Sequence, residues 1–377
     1  MNEHLSEGFD SRAALAELLA AGKIDLRGGA VLERQPAAMP ADFDFGERVD
    51  GMMLGLAIGD ALGRPTEGRK PAQRRASHGE IRDYAIGRRA KEAIGMPSDD
   101  TQMAFWTLEQ LAVDGGLVPE HLAARFCRGT IFGMGQTVSA FRRNFGKPGS
   151  KHRKPWYEAG PASAGNGALM RIAPILVPHL RAPSPALWSD AALAAMLTHN
   201  DSASTSACVA FVAMLWELLA MSTAPAERWW LERWLEVARD LETGTRYSPR
   251  GGDFVGAYEG PLSDFVAARV DEALTRGTDT VVACNSWYSG AYLLETMPCV
   301  ILILCRYGHD PEEAIVRAVN DTKDNDTVAA IVGAAVGALH GRSALPKPWI
   351  DKLTGRTGES DDGRVFELLA EAQQLWW

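Results

Sequence analysis

Glycine recurs every four residues in two apolar stretches of this chain, and no other feature constrains the fold as much. In Arg48–Gly68 (RVDGMMLGLAIGDALGRPTEG) it falls at Gly51, Gly55, Gly59 and Gly63; in Asn320–Gly341 (NDTKDNDTVAAIVGAAVGALHG) it falls at Gly333, Gly337 and Gly341. A glycine in a helix interior costs up to about 1 kcal/mol relative to alanine. Residues spaced by four share one helix face, so each stripe makes sense only where that face packs tightly against something, close enough for another backbone to approach. Both stretches are expected as buried helices.

The second stretch opens on an oxygen-rich turn, with Asp321, Asp324, Asn325, Asp326 and Thr327 inside seven residues. Asp324, Asp326 and Thr327 fall at or just inside the helix N-terminus, where the macrodipole favours negative charge. Oxygen donors without Cys or His suit a hard divalent cation such as Mg2+; a solvated acidic helix cap is the plainer alternative. Asp60 is embedded in the first striped run, where a buried carboxylate must be paired, hydrogen-bonded or near a metal. Glu67 follows at the helix exit beside Pro65. A second turn repeats the design: Ser98 is an N-cap candidate, Asp99 and Asp100 occupy the first turn, and MAFWTLEQLAVDGG follows with Gly115-Gly116 at its end. One S-D-D-T is commonly a cap. Two such turns, each feeding an apolar helix, have the look of two halves of a metal centre.

With 377 residues, 46% of them apolar, the chain can bury one large core, as a single domain or two smaller ones. A net charge of −9 argues against a nucleic-acid surface, and Arg74-Arg75 and Arg142-Arg143 are too short to reverse it. No apolar run is expected to span a bilayer, and the acidic N-terminus does not fit a signal peptide. Cys127, Cys208, Cys284, Cys299 and Cys305 are odd in number and lack metal spacing, so they are expected as reduced thiols of a cytoplasmic protein.

Helical periodicity dominates, without convincing strand alternation, and the expected fold class is all-α. Residues 1–46 are expected as an arm ahead of a main domain at 47–377. The arm carries a short helix over Ser11–Ala21 with Ser11 as N-cap, a polar linker with Pro36 and Pro40, and the alternating ADFDFGE. The loops Gly133-Met134-Gly135-Gln136-Thr137 and Gly165-Asn166-Gly167 can present backbone N–H groups to an anion. The second continues into ALMRIAPI, expected as a helix that Pro174 kinks or ends. Thr198-His199-Asn200-Asp201-Ser202 precedes an apolar helix through Leu219. The tryptophan-rich 229–241 is amphipathic, and Asn285–Gly290 leads into a further apolar helix.

Taken in order, GLAIGDALGRPTEG, SDDTQMAFW, GNGALMRIAPI, THNDSAS and KDNDTVAAIVGAAVGALHG resemble the ADP-ribosylglycohydrolase family over roughly residues 48–342. The resemblance implies a compact, orthogonal all-helical domain that uses two Mg2+ ions, with Mn2+ as a substitute, to cleave ADP-ribose from modified side chains, commonly arginine. It implies Ser98, Asp99, Asp100, Asp324, Asp326 and Thr327 as metal ligands. Asp100 or Glu67 would be the general base, and Gly135, Asn166, Gly167 and His199 would line the substrate. The implied partner is an ADP-ribosylated protein, through arginine or alternatively through serine or another conjugate such as O-acetyl-ADP-ribose. Some members act as immunity proteins, so a second role is expected as an alternative: the arm's Phe43 and Phe45 insert into an apolar cleft of an ADP-ribosyltransferase toxin while Asp42 and Asp44 present carboxylates to its basic nucleotide-binding site. Departures stand out at two places: the D-x-D-T segment, with Thr322-Lys323 where many members carry glycines and Asn325 in the middle, and Ser98, where threonine is commoner but the hydroxyl is kept.

Overall fold

The structure is a computed structural model that describes residues 9–86, 92–146, 151 and 153–377. The first eight residues of the expected arm lie outside the described residues. The two glycine stripes meet each other. The first striped helix, Phe45–Gly63, is capped by Asp44, whose carboxylate accepts from Glu47 N at 3.0 Å. The second, Asn325–His340, runs antiparallel to it, so that Gly51 faces Gly337, Gly55 faces Gly333, Gly59 faces Ala329 and Gly63 faces Asp326. A Cβ on Gly55 would stand 2.2 Å from the Gly333 carbonyl oxygen, and one on Gly337 would stand 2.0 Å from that of Gly51. Two backbones therefore touch along the whole interface. Gly341 has a second duty: its backbone also lies against Gly51, and it ends the helix at φ +84°, a left-handed conformation that glycine adopts without strain.

Around this pair the elements are helical, as the periodicity predicts, apart from one small two-stranded sheet among the described residues. Thr245–Tyr247 pairs antiparallel with Tyr258–Gly260, with Thr245 opposite Gly260. Strands of three residues are too short for alternation to show in sequence. The helix Ser202–Ala220 corrects the expectation about spanning length: it has 19 residues, and an 18-residue window of it has a mean hydropathy of 1.6, enough by length and composition to cross a bilayer. It is instead a core helix, 89% buried, capped by Asp201. Trp229–Leu241 lies beside it and buries Trp230 and Trp234 completely. The segment after the Gly165–Gly167 loop is not an α-helix. Pro174 and Pro178 remove N–H donors, and the chain settles for tighter turns over Leu169–Arg171 and Ala173–His179. All five cysteines are unpaired, and all except Cys127 are buried.

The arm packs onto its own domain. Its helix, Ser11–Ala20, is capped by Asp10, not Ser11, through a 3.0 Å bond to Ala13 N. Beyond it, Arg27 N bonds Leu241 O at 2.7 Å, and the indoles of Trp188 and Trp216 donate to Arg34 O and Ala37 O at 2.7 and 2.9 Å. Leu15, Ile24, Leu26 and Val31 join the common core. Phe43 and Phe45 are buried as well, and Phe45 is the first residue of the striped helix. The expectation that these rings insert into a partner's cleft therefore gives way: their apolar surface is already covered by the chain's own core, which is where hydrophobic burial stabilises them most.

Replacing Gly55 or Gly337 with alanine forces backbone against Cβ. Either variant is expected to lose about 1–3 kcal/mol or more in denaturant unfolding, while Gly116→Ala, with nothing within 4 Å of the added methyl, stays near the parent.

Candidate metal centre and substrate cleft

Antiparallel packing of the striped helices brings the C-terminal end of the first against the N-terminal end of the second, and both ends carry acid. Asp60 sits in the last turn of the first helix, fully buried. It accepts hydrogen bonds from Ser98 N at 2.8 Å, Thr101 N at 3.0 Å and Thr101 Oγ1 at 2.6 Å. Asp60 thus takes up backbone donors left free at the start of the Asp99–Asp114 helix and pins the S-D-D-T turn to the striped pair. Within that turn Ser98 is the N-cap, and its hydroxyl lies 2.9 Å from Asp100 Oδ2.

Carboxylate oxygens of Asp60, Asp100 and Asp326 lie within 4.8 Å of one another, and those of Glu67, Asp324 and Asp326 form a second such group. Asp326 is common to both. Asp99 and Thr327 line the same cleft. Asp100 Oδ1 is buried without a hydrogen-bond partner, an arrangement that costs free energy unless a cation completes it. Burial is the first cause raising each of these acids; for Asp60 its hydrogen bonds from Thr101 and Ser98 oppose it, whereas for Glu67, Asp99, Asp100, Asp324 and Asp326 neighbouring negative charge adds to it. Asp99 is pushed up to about 7 by burial and then by Asp60, Glu67 and Asp324. Asp324 rises to about 6 through burial and Glu67, opposed by its bond from Asn166. Asp100 and Asp326 lie well above the ordinary carboxyl range, again through burial and the surrounding acids. An all-oxygen donor set with this charge density fits a pair of hard divalent cations.

The two departures in the D-x-D-T segment have separate structural consequences. Asn325 faces away from the acids, and its amide donates to Thr66 Oγ1 at 3.0 Å and Val319 O at 3.1 Å. Lys323 lays its ammonium over the Tyr288 ring, 4.6 Å from the centroid. Its backbone N bonds Ser289 Oγ at 2.9 Å, and Asp324 N bonds Ser289 O at 2.8 Å. Tyr288 and Ser289 adopt positive φ, 71° and 42°, a strained turn that holds the acidic loop in place. From the other side, buried Arg74 donates to Thr66 Oγ1, Asn320 O and Thr322 O at 2.9, 3.1 and 2.8 Å. What the sequence presents as a basic surface spot is a clamp between the Glu67 and Asp324 loops.

Above the acids opens a cleft of about 470 Å³. Gly135 is the N-cap of the Gln136–Phe145 helix and supplies no side chain to its free N–H groups, which face an anion favourably. Asn166 donates to Asp324 Oδ2 at 2.7 Å and Thr296 Oγ1 at 3.0 Å, so it orients a candidate ligand. Gly165 and Gly167 lie against the His199 ring; a Cβ on Gly167 would stand 2.9 Å from its Cε1. Burial, then the charge of Arg171, pushes His199 down to about 3. Sequence reasoning missed Arg250, the one cation lining the cleft among the described residues. Its Nε donates to Glu295 Oε1 at 3.1 Å, a second nitrogen reaches Oε2, and the guanidinium lies 4.4 Å from the Tyr292 ring centroid. Glu295 is fully buried and also accepts from Tyr247 OH at 2.9 Å. A carboxylate inside the apolar run AYLLETMPCVILIL was the available signal, since buried charge demands a partner.

The family model described as ADP-ribosylglycohydrolase matches residues 40–376. The chain belongs to the ADP-ribosylglycohydrolase family. It is 26% identical to the ADP-ribosylarginine hydrolase Tri1 of Pseudomonas putida over 315 residues, 81% of this chain and 74% of that protein. It is 25% identical to the ADP-ribosyl-[dinitrogen reductase] glycohydrolase of Rhodospirillum rubrum over 329 residues, covering 86% and 97%. The ADP-ribosylhydrolase ARH3 of Xenopus tropicalis is 25% identical over 342 residues, covering 85% and 95%. A solved structure titled ADP-ribosylglycohydrolase-related protein complex superposes with a TM-score of 0.59 at 27% identity, covering 88% of this chain and 98% of that one. The all-helical fold expected from the resemblance is thus that of the family.

Two measurements test the centre. Calorimetric titration of metal-free protein with Mn2+ is expected to show binding that Asp100→Ala or Asp326→Ala weakens at least about tenfold, as loss of a charged ligand requires. The second concerns pH. Folded metal-free protein keeps protons on acids that the unfolded chain releases near pH 4, so ν_U is smaller than ν_N and stability falls as pH rises from about 4 towards the values near 6 and 7 of Asp324 and Asp99. Thermal melts should show that decline, and saturating Mg2+ should reverse it.

Proposed function

We propose that this chain is a Mg2+-dependent hydrolase that removes ADP-ribose from arginine side chains and so reverses mono-ADP-ribosylation. The observation that carries the reading is the double carboxylate group centred on Asp326, with its unpartnered Asp100 oxygen, on the floor of a cleft in a chain of this family. Arginine is supported by the name of the Tri1 relatives, while the ARH3 relatives keep other linkages as the alternative. Bound divalent cations would supply Lewis-acid charge for the ribose hydroxyls and for an attacking water.

The chain's own residues account for the rest. Ser98, Asp99, Asp100, Asp324, Asp326 and Thr327 would hold the metals, with Asp60 fixing the first turn and Asn166 the second. Glu67 is the better general base: it stands exposed at the rim, whereas Asp100 is buried and tied to Ser98. Partial burial of its carboxyl group on the cleft side, and then the charge of Asp60, raise its basicity, which suits proton removal from water near neutral pH. Attack at C1″ passes through an oxocarbenium-like state in which the guanidine leaves. The diphosphate is received by the open helix start at Gly135 and by the positive charge of Arg250.

ADP-ribosylated arginine peptide is expected to release ADP-ribose, to stop in EDTA and to recover with Mg2+. Glu67→Gln is expected to lower kcat by about 10²–10⁴-fold. Release from serine-linked peptide alone would overturn the arginine assignment.

A further inference from the structure

Beneath the cleft lies a buried guanidinium that none of the chemistry above uses. Arg171, on the turn after the Gly165–Gly167 loop, is fully buried and stacks over Phe126 at 4.5 Å. One terminal nitrogen donates to Ala194 O at 3.0 Å and to Thr198 Oγ1 at 2.8 Å, while Nε and the other terminal nitrogen have no partner. Thr198 is fully buried too. Having accepted from Arg171, its hydroxyl has one acceptor in reach among the described residues, His199 Nδ1 at 2.9 Å. A buried hydroxyl seldom leaves its proton unused. The proton therefore points at Nδ1, and the imidazole carries its own hydrogen on Nε2. That nitrogen lies against Gly165 in the wall of the cleft, where the absence of a side chain lets the ring come close.

We propose that Arg171 and Thr198 are positioning residues that lock His199 as the neutral Nε2–H tautomer, a fixed hydrogen-bond donor to an oxygen of the bound ADP-ribose group. The ligand half rests on the hydrolase reading above; the tautomer half does not. The charged group acting on the ring is Arg171, and its repulsion joins burial in keeping the imidazole uncharged. With Nδ1 occupied by Thr198, His199 has no free lone pair and cannot serve as a base. Its role is directional: a donor held at a constant angle binds an acceptor without first paying to orient.

The test is a long-range proton–nitrogen NMR spectrum of the intact protein labelled with 15N-histidine, the His199 signals being those lost in His199→Gln. Protonated Nε2 and unprotonated Nδ1 are expected, with no titration around the ordinary histidine value of about 6.5. Thr198→Val should release Nδ1, populate the other tautomer and weaken ADP-ribose about three- to tenfold in calorimetry, and Thr198→Ser should restore both. Arg171→Met should loosen the same lock; should it fail to fold, the Thr198 pair decides alone. A parent protein with hydrogen on Nδ1, a ring that titrates near neutrality, or a Thr198→Val protein with unchanged tautomer and affinity would each overturn the relay. A parent with the expected tautomer that does not bind ADP-ribose would overturn the ligand half together with the hydrolase reading, and would leave the relay supported.

Discussion

Contact between two helix backbones is the constraint on which everything else in this protein depends. Gly51, Gly55 and Gly59 meet Gly337, Gly333 and Ala329 so closely that no side chain fits between them. Each glycine weakens its own helix, and the loss is offset by dispersion contacts along the interface and by the register they impose. A rigid antiparallel pair has one further property: the end of one helix lies beside the start of the other. Gly63 packs on the backbone of Asp326, so the acid cluster is positioned by the same contact that builds the core.

Collecting so many carboxylates is electrostatically unfavourable, and the fold contains several devices that hold them together. Asp60 is the most economical, since one buried carboxylate caps the Ser98 turn and joins the acid cluster at once. Arg74 ties the Glu67 and Asp324 loops through carbonyls and a hydroxyl, leaving the acids themselves unneutralised. The Tyr288–Ser289 turn, strained at positive φ, holds the backbone of Lys323 and Asp324. Elements that fix a carboxylate's direction without quenching its charge suit an acid cluster that could hold a cation.

The cleft walls follow the same economy with opposite sign. Arg250 is anchored by Glu295, a carboxylate with no exposure of its own, and rests on Tyr292. Lys323, the clearest departure from the family's glycine-rich turn, lies on the neighbouring Tyr288. Positive charge is thus stacked on aromatic rings, Arg250 in the cleft and Lys323 beside the acidic loop, where it offsets part of the field of the carboxylates.

Much of this was legible in the sequence, because the signals were local. Four-residue glycine spacing marks a close-packed helix face wherever it occurs, and a hydroxyl followed by two acids before an apolar run marks a charged helix start. Ser98, Asp99 and Asp100, and Asp324, Asp326 and Thr327, were identifiable on those grounds as two oxygen-rich helix starts, which the fold brings to one cleft or its edge. Other features belong to no single segment. That the two stripes pack on each other, that Asp60 staples a turn thirty-eight residues away, and that Arg74, Arg250 and Arg171 are buried or cleft-lining and not solvated all depend on which helices become neighbours. The arm misled for the same reason: ADFDFGE reads as an exposed acidic-aromatic tail, yet Asp44 caps a helix and Phe43 and Phe45 enter the core. Local spacing determines what a face or a turn can do; only the packed fold decides which charges share a dielectric and which donors remain without a partner.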